Sequence, residues 1–242
     1  VKGLIGVLGG MGPAATVDLF NKFVTFTAAN KDQDHIPLII SSIPDIPDRT
    51  NALLNHGMSP LPTMENYLKK LEDAGAECII IPCNTAHFWF LELKKSCHVE
   101  MLNIVETTMN EVILTKKKKV GLLATNATLY MELYQKAIEE NDLTCIKPNI
   151  DNQNLVMESI YLLKSGNLLL AESIMKKQAE LLFASGAEII VLGCTEVPVI
   201  LEREIKNNPE KYIDSTSSLV RASIDWYEKR VGKHNLITNK NS

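Results

Sequence analysis

Short apolar, β-branched runs alternate along this chain with longer stretches whose apolar positions recur every three or four residues. That alternation predicts parallel strands flanked by helices. Strands are expected at 3–8 (GLIGVL), 36–41, 77–82, 100–103, 119–124, 143–147, 187–192 and near 212–213. Helices are expected near 14–29, 60–74, 85–96, 105–116, 127–141, 151–164, 168–185, 197–207 and 215–230, with a polar, frayed tail after Gly232.

The pattern repeats. GAECIIIPCNT, which starts at Gly75, returns as GAEIIVLGCTE from Gly186, and each apolar run stops on a cysteine at the same interval from its glycine. LIGVLGGMGPAATVDLFNKF in the first half likewise matches VGLLATNATLYMELYQKA in the second, each a strand, a turn of small residues and an amphipathic helix. Two related half-chains follow, giving an α/β fold of two pseudo-symmetric lobes, each a mostly parallel sheet flanked by helices. The first lobe takes 1–103 plus 214–242 and the second takes 104–213, the last helix returning to the first lobe behind an N-cap in DST at 214–216. Ligands of such sheets collect beyond the carboxyl ends of the strands, so the site belongs in the interlobe cleft.

Composition narrows the function classes. With 242 residues, 45% of them hydrophobic, the chain buries a real core. No apolar run approaches a bilayer span, and the N-terminal stretch lacks a signal-peptide layout, so a cytoplasmic protein without membrane contact is expected. A net charge of -4 disfavours nucleic acid, and KKKK at 116–119 reads as a solvated strand entrance. Five cysteines at irregular spacing imply neither a disulfide framework nor a metal site, since CxxC pairs and paired histidine spacings are absent.

Chemistry concentrates at the strand ends. LGGMGPAA carries G-x-G-x-x-A at Gly10, Gly12 and Ala15; a nicotinamide site lacks its ribose-holding acid, because the next strand ends in Ser41 and Ser42. A helix N-terminus approached by a small carboxylate, or a plain tight turn, remains. Cys83 and Cys194 each close a strand and open a helix, where the positive helix end is expected to favour thiolate. Asn84, Thr85 and Thr195 follow them directly as donors for a carboxylate. Cys78, Cys97 and Cys145 are read as structural.

Taken in order, GVLGGMGPAAT, PDRT, PCNTAH, LLATNAT and LGCTE resemble the aspartate racemase branch of the aspartate/glutamate/hydantoin racemase superfamily, over nearly the whole chain. The resemblance implies a cofactor-independent amino-acid racemase, commonly a homodimer, acting on a dicarboxylic amino acid. It makes Cys83 and Cys194 the two acid/base residues, one thiolate removing the α-proton while the opposing thiol delivers one. It assigns Asn84, Thr85, Thr125, Thr128 and Thr195 to the α-carboxylate and ammonium, and Met11 to the pocket floor. Arg49, expected in a long Pro-rich loop, and Lys164 match positions for a side-chain carboxylate, as a bidentate fork and a point charge.

Glu196, expected with these among the substrate-binding residues, fits the aspartate branch, whereas glutamate racemases carry histidine there and an Asp-Ser pair in place of Gly10 and Met11. That departure argues against the cell-wall glutamate racemases without choosing between aspartate and glutamate, whose side-chain carboxylates Arg49 and Lys164 could both reach. The resemblance makes aspartate the expected substrate, with glutamate or a broader set as the alternative. His87, four residues past Cys83, either tunes the thiol or packs the helix. Other classes remain: a related carbon-acid isomerase or decarboxylase, a two-lobed amino-acid-binding protein, and a Cys83–Cys194 redox switch.

Overall fold

The computed structural model describes residues 2–232, so the polar tail expected to fray lies outside the described residues. Among these residues the chain forms two four-stranded sheets, both parallel throughout. The first is ordered β2(Leu38–Ser42), β1(Ile5–Gly9), β3(Cys78–Ile80), β4(Glu100–Leu102). The second repeats that order as β6(Thr144–Ile146), β5(Lys119–Ala124), β7(Ile189–Gly193), β8(Tyr212–Asp214). β1 matches β5 and β3 matches β7, so the sequence repeat is a repeat of topology.

The twice-used Gly-Ala-Glu has a physical explanation at each letter. Gly75 and Gly186 adopt φ +93° and +97°, a left-handed turn that ends the preceding helix where a side chain would be strained. Ala76 and Ala187 pack on the glycines of the central strands, Gly6 and Gly121, and a Cβ on either glycine would stand 2.9 or 3.1 Å from the alanine methyl. Glu77 accepts from the Gly3 amide at 2.8 Å, and Glu188 accepts from the amides of Lys118 and Lys119 at 2.7 and 3.0 Å. Each glutamate thus satisfies donors where the neighbouring strand begins. The four lysines are exposed beside that junction, as a solvated strand entrance requires.

Strand alternation divides the core. Ile5, Val7, Cys78 and Ile80 of the first sheet face the same cluster as Val120, Leu122, Ile189 and Val191 of the second. Between the sheets lie α5(Ile104–Leu114) and α12(Ser215–Val231), which pack on each other, α12 also meeting α1(Pro13–Phe26). The opposite faces are separate: Ile79 and Ile81 pack under α3(Leu61–Asp73), Ile190 and Leu192 under α8(Ile150–Lys164) and α9(Leu168–Ala184). Each fully buried Ile or Leu contributes roughly 1.5–3 kcal/mol, so this shared middle layer fixes one sheet against the other.

Three helical expectations are corrected. The helix expected at 127–141 is two short ones, α6(Asn126–Tyr130) and α7(Gln135–Glu139), broken where Glu132 takes φ 55°. The segment 85–96 starts as a 3-10 turn, Thr85–Trp89, before α4(Phe90–Ser96). Segment 197–207 divides into α10(Val197–Ile200) and α11(Glu202–Asn207).

Candidate active site

Beyond the carboxyl ends of β3 and β7 a narrow cleft of about 20 Å³ opens between the two halves. Cys83 and Cys194 both line it, each nearly buried at 6% and 4% exposure. Its wall continues through Met11, Asn84, Thr85 and Thr125, and is completed by Arg49, Lys164, Thr195 and Glu196. Thr128 is the exception among the expected residues. It is fully buried behind the wall, where its hydroxyl lies 3.0 Å from those of Thr85 and Thr125.

Those three hydroxyls form a closed triangle across the halves, the third side being Thr85 to Thr125 at 2.9 Å. Thr125 is also the N-cap of α6, accepting from the Thr128 amide at 3.1 Å. Hydroxyls joined to one another in this way form a group of donors that an incoming carboxylate can engage by rotation alone.

Arg49 departs from the expected long loop. It opens the short helix α2(Arg49–Leu54), whose N-cap is Asp48, and its Nη1 donates to the carbonyls of Ile46 and Pro47 at 3.2 and 3.1 Å. The guanidinium is therefore held in place rather than mobile. Asp48 and Thr50 also line the cleft, and nothing in the sequence marks them for it, although PDRT contains Asp48 as a visible capping residue.

The two thiols have different surroundings. Cys194 donates to Glu196 Oε2 at 3.1 Å, while the sulfur of Cys83 has no hydrogen-bond partner among the described residues. Burial pushes the Cys194 thiol well above its ordinary range, and the Glu196 carboxylate pushes it further. At Cys194 that corrects the expected thiolate stabilisation: α10 behind it is a single turn, too short for a strong dipole, and a carboxylate stands closer. Burial lowers the Lys164 ammonium, but Glu196 and Cys194 outweigh it and the net shift is upward.

Lys164, 37% exposed at its side chain, stands 3.9 Å from Glu196 Oε1, an oxygen with no hydrogen-bond partner among the described residues. This pair and Arg49 separate the cleft from an outer hollow of about 510 Å³, lined also by Gly10, Gly12 and Ala14. Within the glycine turn the Gly10 amide donates to the Thr16 hydroxyl at 2.9 Å. The carboxylate nearest Gly12 is Glu196, whose Oε1 is 3.4 Å from the place of a Gly12 Cβ.

His87 is a packing residue. Its Nε2 accepts from the Ile104 amide at 3.1 Å, so Nδ1 carries the proton and donates to the Cys83 carbonyl at 2.8 Å. It contacts the backbone of Cys83 rather than the thiol, and burial lowers its pKa to about 4.

Residues 8–223 match the Asp/Glu/Hydantoin racemase family. The chain belongs to that family. It is an amino-acid racemase. Among solved structures it is similar to the Picrophilus torridus aspartate racemase, with TM-score 0.84 and 32% identity over 93% of this chain and 94% of that one. An aspartate racemase homologue from Pyrococcus horikoshii aligns with TM-score 0.73 and 27% identity, covering 93% of this chain and 98% of that one. The broad specificity amino-acid racemase RacX of Bacillus subtilis is 28% identical over 93% of this chain and 98% of its own length. The two-lobed architecture is that of racemase structures. No helix among the described residues of this racemase is long and apolar enough to cross a membrane, and no cluster of metal-ligating side chains occurs among them.

Proposed function

We propose that this racemase interconverts L- and D-aspartate without a cofactor, using Cys83 and Cys194 as two bases on opposite faces of the α-carbon. The observation that carries the reading is that two cysteines from equivalent ends of a repeated strand open onto one cleft. In one direction a thiolate takes the α-proton and becomes a thiol. The opposing thiol then protonates the other face and becomes a thiolate, so a turnover exchanges their states and balances without an added reductant or oxidant.

An amino-acid α-carbon is a weak acid, and negative charge builds on the α-carboxylate as the proton leaves. The hydroxyls of Thr85 and Thr125 and the Asn84 segment supply donors there, each such donor contributing roughly 3–4 kcal/mol in a water-excluded site, while the Thr195 hydroxyl, whose proton goes to the Pro82 carbonyl, lines the wall. Thr128 acts from behind the wall by orienting Thr85 and Thr125. Glu196 Oε1, a buried acceptor lacking a hydrogen bond among the described residues, suits the substrate ammonium.

Arg49 and Lys164 are the cations for a side-chain carboxylate, which favours aspartate or glutamate over neutral amino acids. The inner cleft has room for about one water. Substrate therefore enters from the outer hollow and draws Lys164 away from Glu196. A homodimer in the cytoplasm, and lobes that divide at residues 103/104 and 213/214, belong to the same proposal and rest on the family resemblance and the sequence repeat.

Chiral chromatography of L- and D-aspartate incubated with wild type, Cys83→Ala and Cys194→Ala tests it. Wild type should racemise both hands and each variant neither. Full activity in either variant would remove the two-base reading. A panel including glutamate and neutral amino acids assigns specificity, and stoichiometric binding without turnover of any amino acid would favour a binding protein.

A further inference from the structure

Tyr134 lies in the bend between α6 and α7, distant in sequence from both cysteines, and it is fully buried. Its hydroxyl donates to Asn84 Oδ1 at 2.5 Å, and Asn84 directly follows Cys83. Its ring edge lies against Gly193, which directly precedes Cys194, so closely that a Cβ at Gly193 would stand 3.1 Å from Tyr134 Cε2. One side chain therefore touches the neighbours of both cysteines.

A second chain of contacts closes the ring. Asn84 Nδ2 donates to the Ser215 hydroxyl at 3.0 Å, and Ser215 donates to the Leu192 carbonyl at 2.8 Å, on the strand that ends before Cys194. Thr195, just past Cys194, donates to the carbonyl of Pro82, just before Cys83, at 3.2 Å. Because the Ser215 proton is committed to Leu192, its oxygen can only accept from Asn84, and the Asn84 amide has a single orientation. A phenol that served only to fill the core would be cheaper as phenylalanine, because a buried hydroxyl must find a partner.

We propose that Tyr134 is a positioning residue that sets the separation and facing of Cys83 and Cys194, acting through Asn84 on one side and Gly193 on the other. The inference rests on the two-cysteine reading above. Its ring is the spacer, and its hydroxyl is the latch that keeps the Cys83 loop in register with β7. Two-base proton transfer needs both sulfurs on line with one carbon at once, and a displacement near 1 Å costs on the order of a hundredfold in rate.

The test is steady-state racemisation, in both directions, by wild type, Tyr134→Phe, Ser215→Ala and the double variant, with Ser159→Ala as control. Ser159 is a buried hydroxyl donating to the Ala171 carbonyl at 2.7 Å in the outer layer of the second half. Tyr134→Phe keeps the ring and removes the latch, so kcat should fall by about tenfold or more while KM stays within about threefold. Ser215→Ala should act alike, and the double variant should lose less than the product of the two single losses. Ser159→Ala should lower the melting temperature and leave kcat unchanged.

Wild-type kcat in Tyr134→Phe, or a loss confined to KM, would overturn the inference and leave the two-cysteine reading intact. Multiplicative losses in the double variant would also overturn it. An inactive wild type would sink both. Should Tyr134→Phe fail to fold, Ser215→Ala alone decides the matter by the same kcat and KM criteria.

Discussion

The Cys194 thiol donates to the Glu196 carboxylate at 3.1 Å, and the Cys83 sulfur has no such neighbour among the described residues. A pseudo-symmetric cleft therefore contains two chemically unequal thiols. Burial and the adjacent negative charge both favour the protonated form of Cys194, which under the proposed mechanism is the form that delivers a proton.

Glu196→Gln keeps the shape and removes the charge. A carboxylate disfavours a second negative charge beside it, so the variant should bring the Cys194 pKa down. In the direction that uses Cys194 as base, the rise of kcat/KM with pH should move to lower pH. Where Cys194 is the acid, the high-pH fall should move to lower pH as well. Unchanged pH profiles from both enantiomers would show that Glu196 does not govern the thiol.

Lys164→Met should separate specificity from chemistry. Losing the mobile cation should raise KM for aspartate by about tenfold or more, consistent with a charge-assisted contact of about 1.5–3 kcal/mol, with a smaller effect on any neutral amino acid that is turned over. Equal losses for dicarboxylic and neutral substrates would assign Lys164 to Glu196 alone.

His87 links acidity to stability. Its folded pKa of about 4 lies below its ordinary 6.5, so between these values the unfolded chain binds the extra proton. Stability is complete above pH 6.5 and declines as pH falls toward 4, by up to roughly 3 kcal/mol from this group. Denaturant unfolding of wild type and His87→Gln across that range should show a shallower pH slope in the variant. Parallel slopes would mean that other groups set the acid lability.

Gly193→Ala places a methyl 3.0 Å from Leu122 Cδ1 and 3.1 Å from the Tyr134 ring. Such overpacking typically costs about 1–3 kcal/mol, and here it pushes the spacer between the cysteines. Thermal unfolding should show the loss together with a reduced kcat. A stable variant with normal kcat would mean that the ring moves freely.

Most of the fold is legible in the sequence because the repeated Gly-Ala-Glu, the alternating strands and the small-residue turns each carry a local physical signal. Cys83 and Cys194 stand out through their equivalent places in that repeat. Tyr134 gives no such signal: in sequence it is one more aromatic on an amphipathic stretch, and its contacts with Asn84 and Gly193 exist only once the two sheets meet. The Cys194 environment is hidden for a related reason. Periodicity shows that a helix follows, but it conceals that the helix is a single turn and that Glu196 folds back on the thiol. Arg49 is visible by motif while its backbone is not, because a six-residue helix capped by Asp48 is too short to show a period.

The central claim is that two bases work on opposite faces, and proton NMR in D2O tests it most directly. L-aspartate and D-aspartate are followed separately, reading α-proton loss beside optical inversion at early times. Two bases predict that deuterium enters the product of inverted hand from either enantiomer, while recovered substrate retains its α-proton. Rapid α-deuteration of recovered substrate, with its hand unchanged, would point to a single base on one face and contradict the account.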